Sequence, residues 1–224
     1  MPHFIHIPKT GGTSLINDDL MPITYTDKSN IKKSTLKGID VHLNAYRKRP
    51  FGSNPKEKVY AHARFLDIET SYDSYFTVIR NPWDRVISKW LYTTEVVDRH
   101  NIEYNVGSFE QYVTEQSLFI YKSKDYTWFT TMENWYDQVG YILDEKDEIV
   151  TDNIRFEYYS SDIKKYLGKT PKWLRPSLLK TKDYKEYYTP KTIQMVADIY
   201  DRDVKTFGFD FDTSATKNYW KPPL

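Results

Sequence analysis

The stretch that decides the fold runs from residue 3 to residue 16 and reads HFIHIPKTGGTSLI. Residues 3–7 form a short apolar run that ends at Pro8, which is typical of a strand. Two glycines follow and lead directly into the apolar pair Leu15 and Ile16, which indicates a tight turn and then a helix. In such a turn, backbone N–H groups converge and the helix N-terminus adds partial positive charge. The stretch therefore predicts a cradle for a phosphate or sulfate group.

The side chains of this turn, like its backbone N–H groups, are suited to binding an anion. Lys9 supplies a mobile ammonium, and hydroxyl and N–H groups come from Thr13 and Ser14 beside Gly11 and Gly12. The alternative is an ordinary strand–helix turn whose lysine faces solvent.

Composition limits the classes of protein to consider. The 224 residues predict a single domain spanning 1–224, which is long enough to bury a core. The 32 basic and 31 acidic residues leave a net charge of +1, too little to favour a nucleic-acid partner. Cysteine is absent, which excludes disulfides and thiolate chemistry. No apolar run approaches the roughly 20 residues of a membrane span, so we expect a cytoplasmic protein.

A second anion site is predicted where the strand Tyr75–Ile79 ends at Arg80. Asn81 is a suitable N-cap and Pro82 a suitable first residue for the helix that follows. Ser88 lies two helical turns further on. We expect Arg80, the start of this helix and the Ser88 hydroxyl to hold one phosphate group. The alternative is that Arg80 pairs with a carboxylate and Ser88 is a neutral surface residue.

The other elements follow from caps and turns. Strands that alternate with helices predict an α/β fold with a mostly parallel central sheet flanked by helices. The individual predictions are a strand at residues 58–61, a helix capped by Ser108 and running to about Ser117, a hairpin of residues 139–143 and 148–151, a helix capped by Ser161 or Asp162 and ended by Gly168, and a last helix from Thr189 and Pro190 to Gly208.

The two anion-binding stretches resemble those of sulfotransferases that use 3′-phosphoadenosine 5′-phosphosulfate (PAPS). Residues 6–14 resemble the 5′-phosphosulfate loop of that family, and residues 80–88 resemble its 3′-phosphate segment, R-x-P-x-x-R-x-x-S. Within that family, these stretches resemble the carbohydrate branch related to heparan sulfate 2-O-sulfotransferase. Residues 155–157 (RFE), 187–190 (YYTP) and 207–209 (FGF) also resemble this branch.

This resemblance implies a three-layer, P-loop-like fold and transfer of a sulfuryl group from PAPS to a carbohydrate hydroxyl, without a metal ion. Lys9 would stabilise the leaving oxygen, and Arg80 and Ser88 would bind the 3′-phosphate. The residues that would bind the 5′-phosphosulfate are Lys9, Thr10, Gly11, Gly12, Thr13 and Ser14.

A base must also accept the proton of the acceptor hydroxyl, and histidine has a suitable pKa. His62 follows residues 59–61 (VYA), which resemble the segment that carries the catalytic histidine in the 2-O-sulfotransferase branch. That branch has a second histidine two positions earlier, where this chain has Tyr60. His42, Asp67 and Glu69 are the alternative bases.

Two further basic segments each have two alternative roles. Lys180 and Lys182 would either close over the donor or form a solvated charged segment. Residues 47–49 (RKR) would either face an anionic acceptor or lie on an unoccupied surface.

Two other functions remain open. The first is a P-loop kinase that uses ATP and Mg²⁺, with a carboxylate from residues 148–152. Against it, Lys9 precedes the glycines, whereas the nucleotide-binding motif GxxxxGK[ST] places lysine after them. The second is a non-catalytic relative that binds a glycan or a nucleotide.

Overall fold

A parallel β-sheet forms the centre of the computed structural model, which describes residues 1–26, 31–32, 62–99, 106–114, 137–172 and 183–223. Within these residues its strands are β1 (His3–Ile5), β2 (Thr24–Tyr25), β3 (Tyr75–Ile79) and β4 (Asp152–Arg155), in the order β2-β1-β3-β4. All neighbouring pairs are parallel. The predicted α/β class is therefore confirmed. The strand predicted at residues 58–61 lies outside the described residues.

Helices cover both faces of this sheet. In chain order they are α1 (Gly12–Ile16), α2 (Pro82–Arg99), α3 (Val139–Ile142), α4 (Tyr159–Leu167), α5 (Pro190–Ile199) and α6 (Asp201–Phe207). Successive strand side chains point to opposite faces, so Phe4 and Ile5 enter different cores. The core around Phe4 packs against α1 and α4, and the core around Ile5 packs against α2, α3, α5 and α6. The fold thus has three layers, as predicted.

The junction between β3 and α2 follows the predicted cap. The Asn81 Oδ1 atom accepts the N–H of Trp83 at 2.9 Å, and Pro82 opens the helix. The Asn81 amide nitrogen donates to the carbonyls of Asp210 at 2.9 Å and Thr213 at 2.8 Å. One side chain therefore both starts α2 and holds the C-terminal loop against it.

The hairpin predicted for residues 139–151 is wrong in its first half. Val139–Ile142 is a helical turn, and the chain then pairs Leu143 with Ile149 in an antiparallel bridge. The Asp203 carboxylate, far along the chain, accepts the N–H of Val139 at 3.0 Å and so stabilises the start of this turn. The strand that joins the sheet, β4, begins only at Asp152.

Two helix ends also differ from prediction. α4 begins at Tyr159, so neither Ser161 nor Asp162 caps it, although Gly168 ends it as predicted. The predicted last helix is two helices that meet at Tyr200. Acidic side chains in the first turn of α6 favour a new helix start there.

The remaining caps are as predicted. Thr189 caps α5 and Gly208 ends α6 with a φ of 63°. Ser108 and Gln111 form a reciprocal cap for the helical residues 109–114. Across the described ranges, the structure has no helix with the length and apolar character needed to span a membrane.

Candidate functional site

The loop after β1 and the residue after β3 meet at the carboxyl edge of the sheet. The chain leaves β1 towards β2 on one side, while β3 lies on its other side, so the gap between β1 and β3 is a topological switch point. Ligands of open α/β sheets bind at such points. The Nη1 atom of Arg80 donates to the Lys9 carbonyl at 2.9 Å. The two predicted anion-binding stretches are therefore in direct contact.

Residues 6–14, here called the anion loop, turn the carbonyl oxygens of residues 6–9 and 11 into the protein. Four of these carbonyls accept a hydrogen bond from a side chain elsewhere in the chain: His6 from His62 Nδ1 (3.0 Å), Pro8 from Arg85 Nε (3.0 Å), Lys9 from Arg80 Nη1 (2.9 Å) and Gly11 from Tyr159 Oη (3.1 Å). Two bonds are made within the loop: the Ile7 carbonyl accepts from Thr10 Oγ1 (2.9 Å), and the Gly11 carbonyl also accepts from the Ser14 N–H (3.1 Å). The N–H groups of residues 10–13 donate to no group within the described part of the chain. Inward carbonyls and unused N–H groups make a concavity of the kind that binds anions.

The glycines of the anion loop are required for two different reasons. Gly11 has a φ of 87°, in the left-handed region that favours glycine. At Gly12 the limit is space, because a Cβ atom there would collide with the rings of His6 and Phe4. Lys9 also lies in the left-handed region, with a φ of 68°. The loop backbone is thus held in an uncommon conformation by its tethers.

One face of α2 carries two further buried cations, of which Arg85 contacts the anion loop through the Pro8 carbonyl. Arg85 and Lys89 are only 6% and 7% exposed, which is rare for their residue types. One helical turn further on, the Tyr92 ring lies 4.0 Å from the Lys9 ammonium. Arg85 belongs to the segment that resembles a 3′-phosphate site but was assigned no role, and Lys89 and Tyr92 were not predicted as part of the site. Their spacing of i, i+4 and i+7 was the signal, because it places them on one face of a helix.

Arg80 is paired with a carboxylate, the alternative left open by the sequence. Its Nε and Nη2 atoms donate to Asp84 at 2.8 and 2.7 Å, and the Phe156 ring lies 4.0 Å from its guanidinium carbon. With the bond to Lys9, these contacts use three of its five N–H groups. Ser88 is half-buried, one turn beyond Asp84, and its hydroxyl makes no hydrogen bond to any described residue. That Arg80 and Ser88 bind a phosphate stays a prediction.

His62 lies against the anion loop, and its imidazole ring is in the tautomer that a general base needs. Its Nδ1 atom is 3.0 Å from the His6 carbonyl, which only accepts, so Nδ1 carries the proton and Nε2 keeps its lone pair. Burial lowers the pKa of His62 to about 4, with further lowering from Lys9 and Arg85. The His6 ring is 4.2 Å away, and burial also holds the pKa of His6 well below its usual range. Both imidazoles are therefore neutral near pH 7.

The alternative bases are less suitable or lie elsewhere. Asp67 accepts three hydrogen bonds from Arg64, at 2.9 to 3.2 Å, so its carboxylate is already paired with this arginine. Glu69 is exposed. Outside the described residues are His42, Lys180, Lys182 and residues 47–49. The described ranges hold no group of three or more histidines and carboxylates placed to bind a metal ion.

Comparison with known proteins finds a structural similarity and no sequence match. No family model and no curated protein matches this chain. Among solved structures, a sulfotransferase from Alicyclobacillus acidocaldarius is similar to it, with a TM-score of 0.41 and 16% sequence identity. The alignment covers 92% of this chain and 93% of that one. The assignment of a function therefore depends on the geometry of the site itself.

Proposed function

We propose that this protein is a sulfotransferase that moves a sulfuryl group from PAPS to a hydroxyl of a carbohydrate acceptor. The observation that supports the proposal is the contact between the anion loop and Arg80, because one doubly phosphorylated adenosine requires its two phosphate sites to be close together. The unused N–H groups of residues 10–13, with Lys9 and Ser14, hold the 5′-phosphosulfate. Arg80, through its two remaining N–H groups, and Ser88 hold the 3′-phosphate.

The proposed reaction is an in-line transfer that depends on position and charge. The acceptor oxygen attacks sulfur, and the bond from sulfur to the 5′-phosphate oxygen breaks. The departing adenosine 3′,5′-bisphosphate takes the electron pair, and the acceptor proton passes to Nε2 of His62. The Lys9 ammonium leaves the Tyr92 ring and neutralises the departing oxygen, a stabilisation that is strongest in the transition state.

The pKa of His62 predicts an unusual pH profile. Because only the neutral imidazole accepts a proton, kcat/KM should hold down to about pH 5 and fall as the pH drops through about 4. An ordinary histidine would lose activity near 6.5. The measurement is kcat/KM against pH, with the fold checked at each pH by circular dichroism. An acid limb near pH 6.5 would contradict the assignment.

Binding of the product nucleotide tests the donor site directly. Adenosine 3′,5′-bisphosphate at about 100 times its Kd should add roughly 2.7 kcal/mol of stability without Mg²⁺, a rise of about 5–10 °C in Tm. The matched control is adenosine 5′-monophosphate, which lacks the 3′-phosphate and should shift Tm much less. No shift with millimolar bisphosphate would count against the proposal. Displacement of the bisphosphate by ATP with Mg²⁺ would favour the kinase instead.

The acceptor class requires a separate measurement. Transfer of radiolabelled sulfate from PAPS is followed over a panel of glycans, peptides and lipids that carry free hydroxyl groups. Labelling of glycans supports the carbohydrate assignment, whereas labelling of another class replaces it. Binding of the bisphosphate and of glycans without any transfer would identify a non-catalytic protein.

A further inference from the structure

A buried amide–carboxylate pair, Gln138 and Asp203, holds the end of β3 from outside the sheet. Both side chains have no exposed surface. The Gln138 Oε1 atom accepts the N–H of Arg80 at 2.8 Å, and its Nε2 atom donates to the Arg80 carbonyl at 2.8 Å. β3 makes its last pairing with β4 at Ile79. The Gln138 amide therefore takes the place of a neighbouring strand for one more residue.

The direction of this amide is fixed by its partners. A backbone N–H only donates and a carbonyl only accepts, so the oxygen and nitrogen of Gln138 cannot exchange places. The second hydrogen of Nε2 then faces the Oδ2 atom of Asp203 at 3.1 Å. The Oδ1 atom of Asp203 accepts the N–H groups of Gln138 at 2.7 Å and Val139 at 3.0 Å. Asp203 thus holds both the backbone and the side chain of Gln138.

We propose that Gln138, oriented by Asp203, is a positioning residue for the anion site. The contacts run from Asp203 to Gln138, from Gln138 to the backbone of Arg80, and from Nη1 of Arg80 to the Lys9 carbonyl in the anion loop. Burying a carboxylate away from water costs free energy of folding, and well-packed apolar residues stabilise a protein core at least as well as a buried polar pair does. The pair therefore serves to define one geometry. This inference rests on the proposed function for the identity of the ligand.

The test replaces Gln138 by methionine, which keeps most of the volume and removes both bonds to Arg80. We expect Gln138→Met to raise the Kd for adenosine 3′,5′-bisphosphate about tenfold, measured by isothermal titration calorimetry, because the loop and the guanidinium lose their fixed position. Burial, and after it the charge of Asp137, raises the pKa of Asp203, so the titrations are made at pH 8 to keep its carboxylate ionised. A purely structural role would lower Tm without changing this Kd.

The matched control is Asn153→Ala in β4. Asn153 is also a buried amide that donates to a backbone carbonyl, that of Asn218 at 2.7 Å. Its loss should lower Tm and leave the Kd unchanged, which shows that loss of a buried amide does not by itself weaken binding.

A second variant keeps the inference testable if Gln138→Met does not fold. Asp203→Asn retains an acceptor for the two N–H groups but turns an NH₂ group towards Nε2 of Gln138, so the Kd should rise in the same direction. In the double variant the effects should not add, because both residues act through one chain of contacts. If the unaltered protein binds and each single variant binds within about twofold of it, the positioning role is wrong. If the unaltered protein itself does not bind, the proposed function fails and this inference fails with it.

Discussion

Lys9→Met is expected to lower the rate of sulfuryl transfer about 10³-fold while the fold persists. The reason is that, in the proposed mechanism, Lys9 is the residue of the anion loop whose side chain brings a positive charge to the departing oxygen. Its contact with Arg80 is made by the carbonyl, which methionine retains. The left-handed backbone conformation at this position, with a φ of 68°, is as strained for methionine as for lysine, so Tm should change by no more than about 2 °C.

The control for this experiment is Lys146→Met, in the exposed turn that precedes β4. It removes one lysine charge from the chain without touching the anion loop, so transfer should remain near that of the unaltered protein. Single-turnover transfer of radiolabelled sulfate separates the chemical step from product release. If Lys9→Met kept more than about a tenth of the rate, the ammonium would not be stabilising the leaving group.

His62→Asn is expected to lower kcat by about 10²- to 10⁴-fold, the range of general base catalysis. Asparagine is chosen because its amide N–H can replace Nδ1–H as donor to the His6 carbonyl, whereas no asparagine atom can act as the base. The anion loop should therefore keep its shape. The Kd for adenosine 3′,5′-bisphosphate should stay within about threefold of the original value.

His62→Ala is the companion variant, because it removes the base and the tether together. Equal losses of kcat in both variants, with weaker nucleotide binding only in His62→Ala, would separate the two roles. Near-normal turnover of His62→Asn would assign the proton transfer to another group.

The elements that were predictable are those whose signals are local. The Asn81 cap, Pro82 at the first helical position and Gly168 at a helix end each act within a few residues, so the sequence shows both the group and its partner. The strand, glycine turn and helix of residues 3–16 are a local pattern too, although β1 ends two residues earlier than predicted.

Some of the parts that were missed depend on residues far apart in the chain. The turn at Val139 begins where Asp203 accepts its N–H, and the two residues are 64 positions apart. Gln138 reaches Arg80 across 58 positions. The hydrophobic periodicity of the sequence does not reveal such a pair, because a single buried amide produces no repeating pattern. By contrast, the carboxylate that pairs with Arg80 is close in sequence: Asp84 lies four residues on, and the sequence left open only whether Arg80 would pair with a carboxylate or bind a phosphate.

The tethers of the anion loop have a consequence for how the protein folds. Its inward carbonyls are held by side chains from four places in the chain, namely His62, Arg80, Arg85 and Tyr159. The glycine turn alone, as it would exist early in biosynthesis, lacks every one of these donors. We therefore expect the anion loop to reach its final shape only after the chain through residue 159 has folded against it.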